Sequence, residues 1–183
     1  VEKLIIPDMS NLHVPYSDVF YHCINSTTKF ANKISGGEMI EFAEKNDKLK
    51  FANSEVTFLA PINEYYESLN NYSLVMKVIY DDIDILLTGD IERKVENELL
   101  DSETDVSADV YKAAHHGSCT SNSMEFLDAV NPQYVLISSN NGEKNLYGHP
   151  IKSFMNYLEH KDIEVYRTDE QGKVKMTTDG KHI

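Results

Sequence analysis

From position 73 to the carboxyl end, the apolar residues switch repeatedly between a two-residue and a 3.6-residue period, and successive strand-like runs stop at polar signatures. Residues 73–80 and 83–87 read as two strands joined in a tight hairpin across Asp81-Asp82. The second ends at Thr88-Gly89-Asp90, after which Glu92, Val95, Leu99 and Leu100 fall at helical spacing. Residues 109–113 are the next predicted strand and His115 to Thr120 a loop; residues 122–130 are a helix opened by a capping box, Asn122 with Glu125 three residues on. Residues 134–138 form a third strand, followed by a polar loop to His149. Pro150 then stands at a first-turn helical position ahead of Ile151, Phe154 and Leu158. Residues 163–167 and 173–177, joined at Gln171-Gly172, are predicted to close the chain as a hairpin.

Strand–helix alternation of this kind predicts an α/β layered domain, with helices covering sheet. In such folds chemistry collects in the loops at the carboxyl ends of strands. TGD (88–90), HHGS (115–118) and GHP (148–150) hold that place in three successive units. Upstream the pattern is softer: Gly36-Gly37, the polar cluster at 45–48 and Asn70-Asn71 separate short elements. There, positions 1–6 and 55–59 read as strands and 16–24 as a helix.

A length of 183 residues, with 41% hydrophobic and 26% charged residues, predicts one globular domain spanning 1–183. No run of 18 apolar residues is present to cross a membrane as a helix. Cys23 and Cys119 are too few for a disulfide framework, and Cys119, although near His116, reads as a small semi-buried thiol. The net charge is −13, and because residues 141–183 hold seven basic and seven acidic side chains, the acidic excess lies upstream of them. Such a body disfavours non-specific attraction to nucleic acid, which relies on Lys and Arg neutralising phosphates. If the ligand is a polyanion, bound divalent cations are the natural offset.

Aspartate and histidine suit Zn2+, Mn2+ or Fe. Asp90, next to a glycine at a strand end, offers two oxygens to one or two cations; the competing reading is a cap on a helix beginning at Ile91. Adjacent residues on a strand point to opposite faces, so His115 and His116 converge only in a loop, which Gly117 permits. One of the pair reads as a metal ligand, the other as a supporting or substrate contact. Ser118 is a hydrogen-bond donor to the ligand histidine or to the substrate, or a helix cap. His149, just before a helix amino terminus, suits a phosphate contact or a general acid for a leaving oxygen, against the plainer reading of a surface histidine. His13, His22, His160 and His182 lack such company. A two-metal hydrolytic centre needs about four to six ligands, and no H-x-H, H-x-x-x-H or D-H pair occurs in residues 1–112.

The strings NNYSLVMKVIYDDIDILLTGDIERKVENELL (70–100), DVYKAAHHGSCTSNSMEFLDAVNPQYVLIS (109–138), YGHP (147–150) and EVYRTDEQGKVKMTTDG (164–180) resemble the metallo-β-lactamase-fold domain of ComEC-type DNA-uptake competence proteins and their free-standing hydrolase relatives. The resemblance implies an αββα sandwich and a hydrolase with a two-ion Zn2+ or Mn2+ site, cleaving the phosphodiesters of single-stranded DNA in uptake. It implies metal ligation by Asp90 and His116, with His115 the alternative ligand. Catalytic roles fall to His149 and His115, and substrate contacts to Ser118 and His149. It also implies a bacterial extracytoplasmic or membrane-associated setting, through a parent protein attached to the membrane.

The family's H-x-H-x-D-H signature, which supplies most ligands of the first metal, is absent from these residues. With Val1 inside a predicted strand, the expectation is a sandwich incomplete at its amino-terminal side, the carboxyl-terminal portion of the domain and inactive by itself. Two alternatives carry different expectations: a hydrolase of a small ester or lactone, which the acidic charge favours, or a non-catalytic module that has lost the motif.

Overall fold

A computed structural model describes residues 4–7, 40–140 and 145–183. Strands β1 (Leu4–Pro7) and β2 (Ile40–Ala43) pair in parallel as a small separate sheet. The main sheet has seven strands in chain order: β3 (Lys48–Phe51), β4 (Ser54–Ala60), β5 (Val75–Tyr80), β6 (Ile83–Leu87), β7 (Val110–Lys112), β8 (Tyr134–Ile137) and β9 (Glu164–Arg167). Pairing is antiparallel from β3 to β6 and parallel from β6 to β9. A hairpin suffices for the first kind, whereas each parallel step needs a crossover long enough to return the chain. Helices α1 (Arg93–Asp101), α2 (Met124–Val130) and α3 (Lys152–His160) are those crossovers. Each parallel strand therefore ends on the same edge, and the three polar signatures follow β6, β7 and the β8 loop there.

One face of the sheet and the helices share a single core. Val75, Leu86, Tyr111, Val135 and Ile137 come from successive strands; Val95 and Leu99, Phe126 and Val130, and Phe154 and Leu158 come from the three helices. Burial of such side chains supplies about 1.5–3 kcal/mol each before entropy is counted. β7 is buried at both Val110 and Tyr111, as expected of a strand flanked in parallel on both edges.

A polar knot crosses this core. Glu96, fully buried on α1, accepts the backbone N–H groups of Asn122 and Ser123. The Asn122 amide accepts from the Tyr111 hydroxyl at 2.8 Å and from Ala114 N at 3.0 Å, and donates to Ala114 O at 2.9 Å. Burial pushes the Glu96 carboxyl upward, and the two backbone donors oppose that shift. The Tyr111 phenol is pushed up first by burial and then by the charge of Glu96.

The knot also corrects the predicted capping box. Asn122, at φ +61°, spends its amide on Tyr111 and Ala114, so Ser123 caps α2 by accepting from Phe126 N at 3.3 Å. Pro150 lies outside the first turn of α3, which begins at Lys152 after an extended Ile151. The predicted terminal hairpin is also absent. After β9 the chain enters a single helical turn, α4 (Thr168–Gln171), and residues 173–177 form no strand. Thr168 exchanges two hydrogen bonds with the Ser139 backbone, and Arg167 pairs with Asp169 at 2.6 Å and Glu170 at 2.7 Å, which together favour the turn. The helix predicted at 16–24 lies outside the described residues.

Glu96→Ala removes the acceptor of two buried N–H groups and should lower unfolding free energy by about 3 kcal/mol, read from the urea midpoint. Lys77, nearly buried, meets Asp84 at 3.0 Å and Asp105 at 2.8 Å. Its hydrogen bond, and then that of Ser107, hold Asp105 down at about 2. A depressed folded-state carboxyl stabilises above its unfolded value of 3.8 and loses that contribution as pH falls toward about 2. Lys77→Met should therefore flatten the acid limb of the stability profile in that window, measured by urea unfolding across pH.

Candidate functional site at the carboxyl ends of the parallel strands

The TGD corner is pinned from three sides. Thr88 Oγ1 donates to Lys112 O at 2.8 Å, tying β6 to β7. Gly89 has φ +54°, and a Cβ there would stand 2.7 Å from Ser73 Cβ, so both conformation and space call for glycine. Ser73 Oγ then accepts from Asp90 N at 3.0 Å, and Asn71 Oδ1 accepts from Glu92 N at 2.8 Å. The N-x-S segment preceding β5 thus shapes the corner, a job that spacing alone did not reveal. Glu92, not Asp90, holds the residue position before α1, and the Asp90 side chain is 43% exposed and available.

The HHGS turn is a short 3-10 segment, Ala114–Gly117, in which His115 (φ 46°) and His116 (φ 58°) are both left-handed. Two successive non-glycine residues in that region cost about 1–2 kcal/mol each, so the surroundings must hold them. Ala114 N bonds Asn122 and Tyr111, His115 N donates to Gly89 O at 3.1 Å, and Ser118 N donates to His115 O at 3.0 Å. Gly117 (φ +82°) lies against the GHP segment: a Cβ there would meet Pro150 Cβ at 2.6 Å. Ile151 N also donates to Gly117 O at 3.0 Å.

These loops gather Asp90, His115, His116 and His149. His116 Nδ1 lies 2.7 Å from Ser138 O, a carbonyl that can only accept, so the ring proton sits on Nδ1. Nε2 then faces Asp90 Oδ1, 3.5 Å away, and in the neutral ring it carries the lone pair. His115 Nδ1 lies 3.3 Å from Thr120 Oγ1, and its ring centre is 5.6 Å from that of His149. Ser118 is buried inside the turn, its hydroxyl 3.1 Å from Thr120 Oγ1, so it supports Thr120, which in turn meets His115. Cys119 is exposed and free rather than semi-buried. His160 ends α3, and His182 lies 3.3 Å from Asp179; His13 and His22 are outside the described residues.

His149 is held through its backbone: N donates to Asn145 Oδ1 at 3.1 Å, and O accepts from Asn145 Nδ2 at 2.6 Å and Ser139 Oγ at 2.7 Å. Its Nδ1 is buried without a hydrogen-bond partner among the described residues. Burial first, then the proximity of His115 and His116, lower its basicity and favour the neutral ring. Lys112, which the sequence reading passed over although it ends β7 three residues before His115, donates to Ala113 O at 2.6 Å. Burial lowers its basicity while the charge of Asp90 opposes that shift.

Asp90 and His116 fit a shared cation. Two donors each about 2.0–2.2 Å from a tetrahedral ion stand about 3.3–3.6 Å apart, and Oδ1 and Nε2 are 3.5 Å apart, with Nε2 a donor to a metal in the neutral ring. The Ser138 carbonyl behind the imidazole is the partner that orients metal-bound histidines in general. Among the described residues, no group of three or more histidine, cysteine or acidic side chains is arranged to hold a metal ion. The pair by itself offers two donors, fewer than a metal centre needs.

No protein-family model matches the chain. It is 33% identical over 139 residues to ComE operon protein 3 of Bacillus subtilis, covering 76% of this chain and 18% of that protein. It is 34% identical over 120 residues to competence protein ComA of Neisseria gonorrhoeae, covering 65% and 17%, and 36% identical over 118 residues to recombination protein 2 of Haemophilus influenzae, covering 64% and 14%. The chain spans less than a fifth of the length of these relatives. Among solved structures, CmlA of Streptomyces venezuelae, a diiron beta-hydroxylase, superposes with a TM-score of 0.54 at 10% identity, covering 90% of this chain and 38% of that one. At that identity the likeness speaks for the fold alone: a mixed seven-stranded α/β sheet with helices, of the metallo-β-lactamase type. Sequence relatives and fold neighbour converge, and the chain is a homologue of the ComEC-type competence proteins built on the metallo-β-lactamase fold.

Proposed function

We propose that this chain belongs to a metal-dependent phosphodiesterase acting on DNA during uptake. The observation that carries the reading is the His116 and Asp90 pair, an oriented imidazole nitrogen facing a carboxylate at 3.5 Å, at the common end of three parallel strands. The competence names of the sequence relatives support the DNA-uptake setting. Asp90 and His116 are the ligands this chain contributes to a site for Zn2+ or Mn2+, of two ions when complete.

A bound divalent ion supplies Lewis acidity toward a phosphoryl oxygen and a hydroxide at neutral pH. The remaining work falls to the chain's own residues. Asp90 offers both carboxylate oxygens, and Ser138 keeps His116 in the ligating tautomer. His149 is placed to hydrogen bond the scissile group and, when its ring is protonated, to hand that proton to the leaving oxygen, with His115 beside it. Ser118 acts through Thr120 on His115 in this reading. The acidic charge of −13 favours a second reading, a small ester or lactone in place of DNA.

Titration of the parent protein with Zn2+ or Mn2+ against a chromophoric chelator should show stoichiometric binding, weakened at least tenfold by Asp90→Ala or His116→Ala. Absence of stoichiometric metal would sink the proposal. His149→Ala should leave metal affinity within about twofold and lower turnover about 100-fold. Turnover of single-stranded DNA and of a small carboxylic ester, compared at matched metal, separates the two substrates. Gly117→Ala, clashing with Pro150, should lower stability by at least about 1 kcal/mol, seen as a reduced urea midpoint.

A further inference from the structure

Leu146 and Tyr147 are the two most exposed large hydrophobic side chains among the described residues, at 83% and 82%, against 58% for the next, Phe51. Single exposed apolar side chains are ordinary on a protein surface. Two in succession, beside the histidine cluster, are not scattered. The Tyr147 ring lies nearly parallel to the His149 imidazole, at 15° with centres 5.9 Å apart, and His149 in turn neighbours His115. One face of the ring is thus set by the site, and the remaining surface is open to solvent.

The segment that carries it is braced. Asn145 clasps the His149 backbone through two hydrogen bonds, Ser139 adds a third, and Gly148 N donates to Asn145 O at 3.3 Å. Tyrosine has few rotatable bonds, so holding it in place sacrifices little further entropy on binding. A braced, exposed aromatic beside a phosphodiester-cleaving centre has the form of a stacking platform for a nucleobase.

Charge bears on how a strand would be held. Proteins that track single strands commonly combine a basic groove with aromatic platforms, and a net charge of −13 weakens the first. Stacking on an aromatic face needs no cationic partner and works with any base. We propose that Tyr147, flanked by Leu146, is a nucleobase-stacking subsite that seats a base of a single-stranded nucleic acid next to the His149 end of the site. This deepens the DNA reading above and rests on it for the identity of the bond being cut, not for the binding itself.

The test uses the protein in excess chelator, so that no cleavage occurs. The probe is a single-stranded deoxyoligonucleotide carrying 2-aminopurine, whose fluorescence is quenched on stacking; binding is followed by anisotropy. Removing one stacking partner is worth about 1–3 kcal/mol, so Tyr147→Ala should weaken binding about fivefold to 100-fold and abolish the quench. Tyr147→Trp should keep both. An oligonucleotide of the same length with abasic positions should bind the unaltered protein as weakly as the normal one binds Tyr147→Ala. The slope of log affinity against log salt should be about −1.4 or shallower, the value for one or two phosphate contacts on a single strand. A ribo-oligonucleotide arm should bind comparably, since a base face is read rather than the sugar. Equal affinity for base-containing and abasic strands, or an unchanged affinity in Tyr147→Ala with an unchanged urea midpoint, overturns the proposal. Base-dependent binding without any metal-dependent cleavage would remove the hydrolase reading and leave the platform standing; cleavage of base-containing and abasic strands with equal KM would do the reverse.

Discussion

Two consecutive left-handed histidines set the terms for everything at the strand ends. Residues 115 and 116 take a conformation that β-carbons resist, and only a rigid surround makes it the stable one. That surround is the buried knot of Glu96, Asn122 and Tyr111, reached through Ala114, with Gly89 and Ser118 closing the turn from either side. The conformation puts His116 where its Nδ1 reaches Ser138 and its Nε2 faces Asp90. A core element thus determines which nitrogen of an exposed imidazole is free to bind.

The chain treats its buried charges in two ways. Lys77 is satisfied by two carboxylates, Asp84 and Asp105, and belongs to the scaffold. Glu96 is satisfied by backbone N–H groups, with no salt bridge among the described residues, so it links α1 to the start of α2 while keeping a carboxyl group inside an apolar core. Such an arrangement is worth less as net stability than as specification of one geometry, because any alternative packing strands either the charge or the two donors.

Legibility in the sequence followed how local each determinant was. The β5–β6 hairpin, α1 and the strands at β7 and β8 were readable because period and turn residues act within a few positions. The placement of TGD, HHGS and GHP at one edge was readable from topology rules alone. The capping of α2 was misread because Asn122 is recruited by Tyr111 and Ala114, partners eleven and eight residues away that no local pattern displays. The end of the chain was misread for a similar reason: Thr168 bonds Ser139, across 29 positions, and the predicted last strand gives way to a helical turn. Asn71 and Ser73 were visible as a motif, but their task, holding the backbone of Asp90 and Glu92, exists only once β5 and β6 pair.

The sequence by itself determined an α/β chain with carboxylate and imidazole groups at successive strand ends, because side-chain period and glycine placement are properties of neighbours in the chain. Only the tertiary structure decided that His116 rather than His115 faces Asp90, that Ser118 turns inward, and that Tyr147 stands exposed against His149. Those choices depend on a carbonyl just after β8, a hydroxyl from the loop and a stacked ring, which come together by packing across the sheet, and no spacing along the chain records them.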